Sequence, residues 1–218
     1  VISDIAGVGQ NLLDHLFIFT SHEVNVTTGS GVFSNPTLHA EATETYLSKQ
    51  SGPLTGIGGS IVGWEKLPNR TQLSPASQKA LSAFSPDFPE LEYLGLSPGA
   101  NPPDLPLANN YCSVTVALQS TLSRGTVTLR SANPHDAPIL DINALSTQAE
   151  AELITGAMKR LRTLSIETGV HVREVQPGPD VITDAQLLEW VRNHAVNGYH
   201  ASSTSKSVLT LSNVHGDI

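Results

Sequence analysis

Y-C-S-V-T-V-A-L-Q-S-T-L-S-R-G-T-V-T-L-R, residues 111–130, is the stretch whose reading decides the fold. Val114, Val116 and Leu118 alternate with Thr115, Ala117 and Gln119, the two-residue period of a strand buried on one face. Ser123-Arg124-Gly125 reads as a turn, after which Val127 and Leu129 resume the alternation. The pattern predicts a hairpin of strands 111–121 and 125–131. Hairpin neighbours run antiparallel, so the class that follows is α+β rather than doubly wound.

Working outward, Leu91-Glu92-Tyr93-Leu94-Gly95-Leu96 alternates and reads as a second strand. The apolar run Leu16-Phe17-Ile18-Phe19 opens another, over 16–24. Short strands are expected from Ile61 to Trp64 and over 139–142, giving an antiparallel sheet of five or six strands backed by helices. The strongest helix runs from 147 to 168. Thr147 and Glu150 form a capping box, Leu153, Ala157, Leu161 and Leu164 make an apolar stripe, and Gly169 closes it. Further helices are expected over 37–49, over 75–84 and from Thr183 onward. Residues 28–36 read as a Gly/Ser/Asn/Pro loop, and Pro98–Pro106 as a surface excursion or lid. The chain is expected to form one unit, 1–218, with 1–15 as a linker segment and 183–218 as a loop region carrying chemistry.

A net charge of −8 argues against nucleic acid or an anionic membrane as partner. No apolar run approaches the roughly 20 residues that span a bilayer. The N-terminal stretch shows no basic region followed by an apolar one, which favours the cytoplasm. Cys112 is alone, so no intrachain disulfide and no cysteine-based metal site is expected. Gly7-Val8-Gly9 lacks a preceding strand and a third glycine, so it is not read as a phosphate loop. Two triplets, Asn25-Val26-Thr27 and Asn69-Arg70-Thr71, match the glycosylation pattern without establishing its use.

The chemistry concentrates in W-V-R-N-H-A-V-N-G-Y-H-A-S-S-T-S-K-S, residues 190–207. Thr183 and Gln186 form a capping box, Leu187, Leu188, Val191 and Ala195 follow at helical spacing, and Asn197-Gly198 breaks the helix. His200 then emerges among Ser202, Ser203, Thr204 and Ser205, a setting in which an imidazole exchanges protons near neutral pH. The alternative is a polar loop whose histidine bonds a backbone carbonyl. His200 is the candidate catalytic residue. Asn197, Tyr199, Ser202, Ser203 and Thr204 are candidate substrate contacts, and Trp64, Tyr93 and Phe17 candidates for an apolar wall.

Five segments resemble, in order, the glucose–methanol–choline (GMC) oxidoreductases, particularly fungal ones. They are G-V-G-Q-N-L-L-D-H (7–15), S-G-P-L (51–54), L-S-R-G-T-V-T-L-R-S (122–131), A-P-I-L-D-I-N (137–143) and Y-H-A-S-S-T-S-K (199–206). The resemblance implies a substrate domain, an antiparallel sheet backed by helices. It implies that His200 is the family's active-site base, accepting a hydroxyl proton while hydride passes to flavin. It also implies that the FAD-binding G-x-G-x-x-G unit is not among these residues, so no cofactor is expected for this chain alone. The partner histidine or asparagine of the family is not matched by His215, and Ser203 and Ser205 stand where fungal members usually carry cysteine or glycine.

Three functions follow. In the first, the chain is a flavin-independent, non-redox enzyme. It would be a cyclase or isomerase, or a pericyclase such as a Diels–Alderase, acting on a small apolar secondary metabolite, as some family members run non-redox reactions. In the second, it is the substrate domain of an FAD-dependent alcohol oxidase or dehydrogenase. The third makes it a non-catalytic binding module. A face that meets an FAD domain in the family would be apolar here, so a homo-oligomer is expected.

Overall fold

The computed structural model describes residues 5–56, 58–97 and 109–205. Strand β2 (Leu16–Val24) is the middle of a six-stranded antiparallel sheet with β3 (Gly59–Glu65), β4 (Leu91–Leu96), β5 (Tyr111–Leu118), β8 (His171–Gln176) and β9 (Val196–Asn197). The order is β3-β4-β5-β2-β8, with β9 beside the start of β2. A second, three-stranded sheet is ordered β1 (Gln10–Leu12), β6 (Gly125–Thr128), β7 (Ile139–Asp141). Helices α1 (Gly29–Ser34), α2 (Pro36–Lys49), α3 (Pro75–Leu81), α4 (Gln148–Glu167) and α5 (Asp184–His194) complete the elements. No described helix is long and apolar enough to cross a membrane.

The α+β antiparallel class is therefore what the alternation indicated. One face of the large sheet carries Ile18, Leu91, Val116 and Leu118. Against it α4 packs Leu153, Ile154, Ala157, Met158 and Leu161, with Leu187 and Val191 of α5 beside them. Each such side chain contributes about 1.5–3 kcal/mol on leaving water, so this helix–sheet layer holds the domain together. Gly156 lets α4 approach closely, since a Cβ there would lie 2.6 Å from Leu67.

The hairpin expected at 111–131 does not form. β5 pairs with β2 and β4, while β6 joins β1 and β7 in the other sheet. The cause is Glu150, the N3 residue of α4, buried with 1% exposure. Its Oε1 accepts from the backbone N–H of Leu122 and of Ser123, each at 2.9 Å, and its Oε2 from the hydroxyls of Thr147, at 3.1 Å, and Ser123. The carboxylate turns the chain out of one sheet into the next. Gly125 seals the corner, because a Cβ there would collide with the carbonyl of Asp141.

Other boundaries also moved. Residues 29–34, read as a loop, form α1, held by the Ser30 hydroxyl, which bonds both backbone groups of Tyr111. The segment read as a linker contributes β1. β8 carries charged residues on a partly exposed edge and shows no clean alternation. α5 stops at His194, before Asn197-Gly198, because Val196–Asn197 pairs with β2 instead. The Pro98–Pro106 excursion lies outside the described residues.

Two stability consequences follow. Glu150→Ala leaves two buried amides without an acceptor, and urea unfolding should show a loss of about 2–4 kcal/mol, partly restored in Glu150→Gln. His22, 1% exposed, donates from Nε2 to Thr20 Oγ1 at 3.0 Å, since the Thr20 hydroxyl proton goes to the Val114 carbonyl at 2.7 Å. Its Nδ1 is buried without a partner among the described residues. Burial, then His171 and Arg162, push its pKa down to about 4. The unfolded chain therefore binds a proton that the folded chain refuses between about pH 6.5 and 4. Stability from this group is complete above 6.5 and falls as the pH drops, by about 2 kcal/mol at pH 5. His22→Gln should remove that segment of the acid limb in denaturant midpoints compared at pH 7 and pH 5.

Candidate active site

Among the described residues, no helix layer covers the middle of the opposite face of the large sheet. Cross-strand partners share a face, so Phe17, Ala117, Glu92 and Trp64 form one row across it. The next row is Phe19, Thr115, Leu94 and Val62. The central positions, Ala117 and Thr115, are small and fully buried, with larger residues on both sides. The result is a shallow apolar trough whose floor is closed to solvent and whose accessible surface lies at its margins, at Phe17 on one side and at Trp64 and Val62 on the other. α1 and the turn at 53–55 stand at its far end, where Thr28, Val32, Phe33, Leu54 and Ser97 line a cleft of 690 Å³.

His200 sits at the near end, where a backbone seam binds residues 196–204 to 9–17. Val196–Asn197 pairs with Leu16–Phe17, and Gly198 N–H donates to the His15 carbonyl at 2.7 Å. His200 N–H donates to Asp14 Oδ1 at 2.9 Å, Leu13 and Ser202 exchange both backbone bonds, and Gly9 N–H donates to the Thr204 carbonyl. Tyr199 and Ser203 adopt left-handed backbone, φ 59° and 70°, to follow this path.

The ring of His200 lies edge-on to Phe17 and His15, with centroids 5.6 and 5.3 Å away. Its Nδ1 is 3.2 Å from Nδ1 of His15. One nitrogen of that contact must carry the proton and the other a lone pair. In the neutral pair, the ring donating through Nδ1 has a bare Nε2, a base. The ring accepting at Nδ1 has Nε2–H, an acid. Neither Nε2 has a hydrogen-bond partner among the described residues, and His200 is exposed. Burial first, then the charge of His200, hold the His15 pKa below its ordinary value, while Glu92 and Asp14 pull it the other way. A positive charge on His15 beside a charged His200 is therefore disfavoured.

The sequence candidates divide. Phe17 and Trp64 share the open face with His200. Tyr93 does not. One residue beyond Glu92, it points to the helix side and donates to Glu65 Oε1 at 2.8 Å, where burial pushes its hydroxyl pKa far up. Tyr199 is 94% exposed and Asn197 is exposed beside Leu16. Ser202 and Thr204 work through their backbones, and the Ser202 and Ser203 hydroxyls approach each other at 3.4 Å rather than the imidazole. His15, Asp14 and Glu92 were missed. The available signals were a titratable pair abutting a buried strand, and a charge on the polar phase of L-E-Y-L-G-L.

A family model described as GMC oxidoreductase matches residues 121–206, from the Glu150 corner through the His200 loop. That match marks the stretch as a GMC oxidoreductase C-terminal region. The chain is 66% identical, over 94% of its length, to a glucose methanol choline oxidoreductase of Aspergillus terreus, covering 34% of that protein. It is 30% identical, over 88% of its length, to versicolorin B synthase of Aspergillus parasiticus, covering 30% of it. The fold matches formate oxidase of Aspergillus oryzae with a TM-score of 0.76 at 21% identity, over 94% of this chain and 38% of that one. The chain thus spans about a third of the length of the curated relatives it matches.

Gly198 is the most demanding position in this GMC loop. A Cβ there would lie 2.5 Å from the Phe17 ring and 3.2 Å from the His15 carbonyl. Gly198→Ala should cost about 1–3 kcal/mol of stability through overpacking. It should also loosen the seam, visible as faster amide hydrogen exchange at Gly198, His200 and Ser202 with α4 unchanged.

Proposed function

We propose that this chain supplies the substrate face and the acid–base pair of an enzyme acting on an apolar, hydroxyl- or carbonyl-bearing secondary metabolite. On this reading it works without electron transfer, as a cyclase or isomerase. The observation that carries it is the His15–His200 contact at the end of the apolar trough. A neutral imidazole pair offers a base and an acid at once, and a cyclisation or isomerisation removes a proton at one atom and returns one at another. Phe17, edge-on to His200, would hold the carbon skeleton while His200 reaches its oxygen. The name of versicolorin B synthase, 30% identical, supports a synthase on this family's fold.

The 66% identity to a longer oxidoreductase favours a second reading, in which the same pair takes the proton of an alcohol under oxidation. A bound flavin would supply the hydride acceptor. Its pyrophosphate would then sit away from the Gly7–Gly9 turn. In the Gly7–Gly9 turn the N–H groups of Val8, Gly9 and Gln10 already donate to Ile5, Thr204 and Gly7, and the turn leads into β1 rather than into a helix.

Mass spectrometry separates the two. The purified chain, incubated with apolar polyketide alcohols and ketones, should give products of unchanged mass, or of mass lowered by water alone. No product from the chain would overturn the first reading, and products lighter by two hydrogens, with hydrogen peroxide formed only when the chain is assayed within a longer, flavin-loaded protein, would select the second. His200→Ala should lower turnover about 100-fold or more with little change in KM and an unaltered circular dichroism spectrum, because its backbone bond to Asp14 survives.

A further inference from the structure

We infer that Glu92 selects the substrate: the trough takes a planar aromatic that carries a hydroxyl donor, and Glu92 accepts that donor. The inference deepens the proposed function and rests on that reading. Glu92 stands in the cross-strand row between Ala117 and Trp64, two strand spacings, about 10 Å, from Phe17. Ala117 between them is closed to solvent, so the accessible part of the row is Glu92 with Trp64, where a flat ring system of about two fused rings can lie against the indole.

The carboxylate is half-buried and has no cation partner among the described residues. Every other carboxylate that β2, β3, β4 or β8 contributes, at Glu23, Glu65 and Glu174, is bridged by an arginine. Glu92 Oε2 accepts from the Gln119 amide at 2.5 Å, which fixes the group. Oε1 has no partner among the described residues. A fixed, unpaired carboxylate on an apolar face rejects acceptors and favours a hydrogen-bond donor. Trp64, 56% exposed beside it, offers the aromatic plane on which the ring stacks.

The test is binding rather than turnover, so it stands apart from the fate of the histidine pair. Proton–nitrogen NMR of the indole groups follows titration with 1,3-dihydroxynaphthalene and with 1,3-dimethoxynaphthalene, and Trp64→Phe assigns the signal. The dihydroxy probe should move the Trp64 resonance and bind about tenfold or more tightly than the dimethoxy probe. Glu92→Leu should cut that ratio to about twofold or less. Glu92→Gln, which keeps an acceptor and the native shape, should leave it in between. His200→Ala should keep the ratio whether or not it abolishes turnover. Equal binding of the two probes by the native chain, a shift confined to the other tryptophan, or an undiminished ratio in Glu92→Gln would overturn the inference.

Discussion

The backbone ladder of β2 is the constraint from which both the core and the site follow. It bonds β5 from Phe17 to Glu23 on one side and β8 and β9 on the other. A slip of one residue would turn Ile18 out of the core and drive Phe17 and Phe19 into it, so burial fixes the register. The same register puts His15 in phase with Phe17, on the face opposite α4. The pairing runs on past the strand through His15, Leu13 and Gly9, which carries residues 198–204 alongside. The histidine pair is thus a consequence of strand pairing, and no separate scaffold is needed to hold it.

The two faces of the sheet are built differently. The helix side is closed by large aliphatic residues, and several of its polar groups are paired: Tyr93 and Arg160 meet on Glu65, and Arg162 holds Glu174 together with the carbonyls of Gly178 and Val181. The open side has small side chains at its centre and bulk at its margins. Such a surface gains little by folding alone and much by contact with a flat apolar body.

What could be read from the sequence was what depends on local period. The strands at 16–24 and 91–96 and the helix 148–167 follow from alternation and from a helical stripe, and the caps at Thr147 and Thr183 are where the residues indicated. The apparent hairpin failed because period does not say which strand a segment pairs with. The decision rests with Glu150, which looks like an ordinary capping-box residue in the sequence and whose second task is to hold Leu122 and Ser123. For the site, His200 was legible as a histidine past a helix end. His15 was not, since its meaning comes from a contact across 185 residues. Tyr93 was misplaced for the converse reason. Its aromatic character is visible in the chain, but its face is set by phase relative to Val116 and Ile18.

The state of charge of the pair bears on which chemistry it suits. Two imidazoles 3.2 Å apart share one bridging proton, and a second cation beside the first is opposed by like charge. Burial and the charge of His200 hold the His15 pKa down, while Glu92 and Asp14 pull it the other way. In a cyclisation or isomerisation the proton taken at one Nε2 is matched by one given from the other, and the pair ends the cycle neutral with no exchange with water. In an oxidation the alcohol proton stays behind, and the pair must release it before the next turnover. The exposure of His200 provides that exit. The half-buried position of His15, which favours its neutral form, works against storing the charge there. A reaction that removes its proton therefore depends on His200 remaining open to solvent.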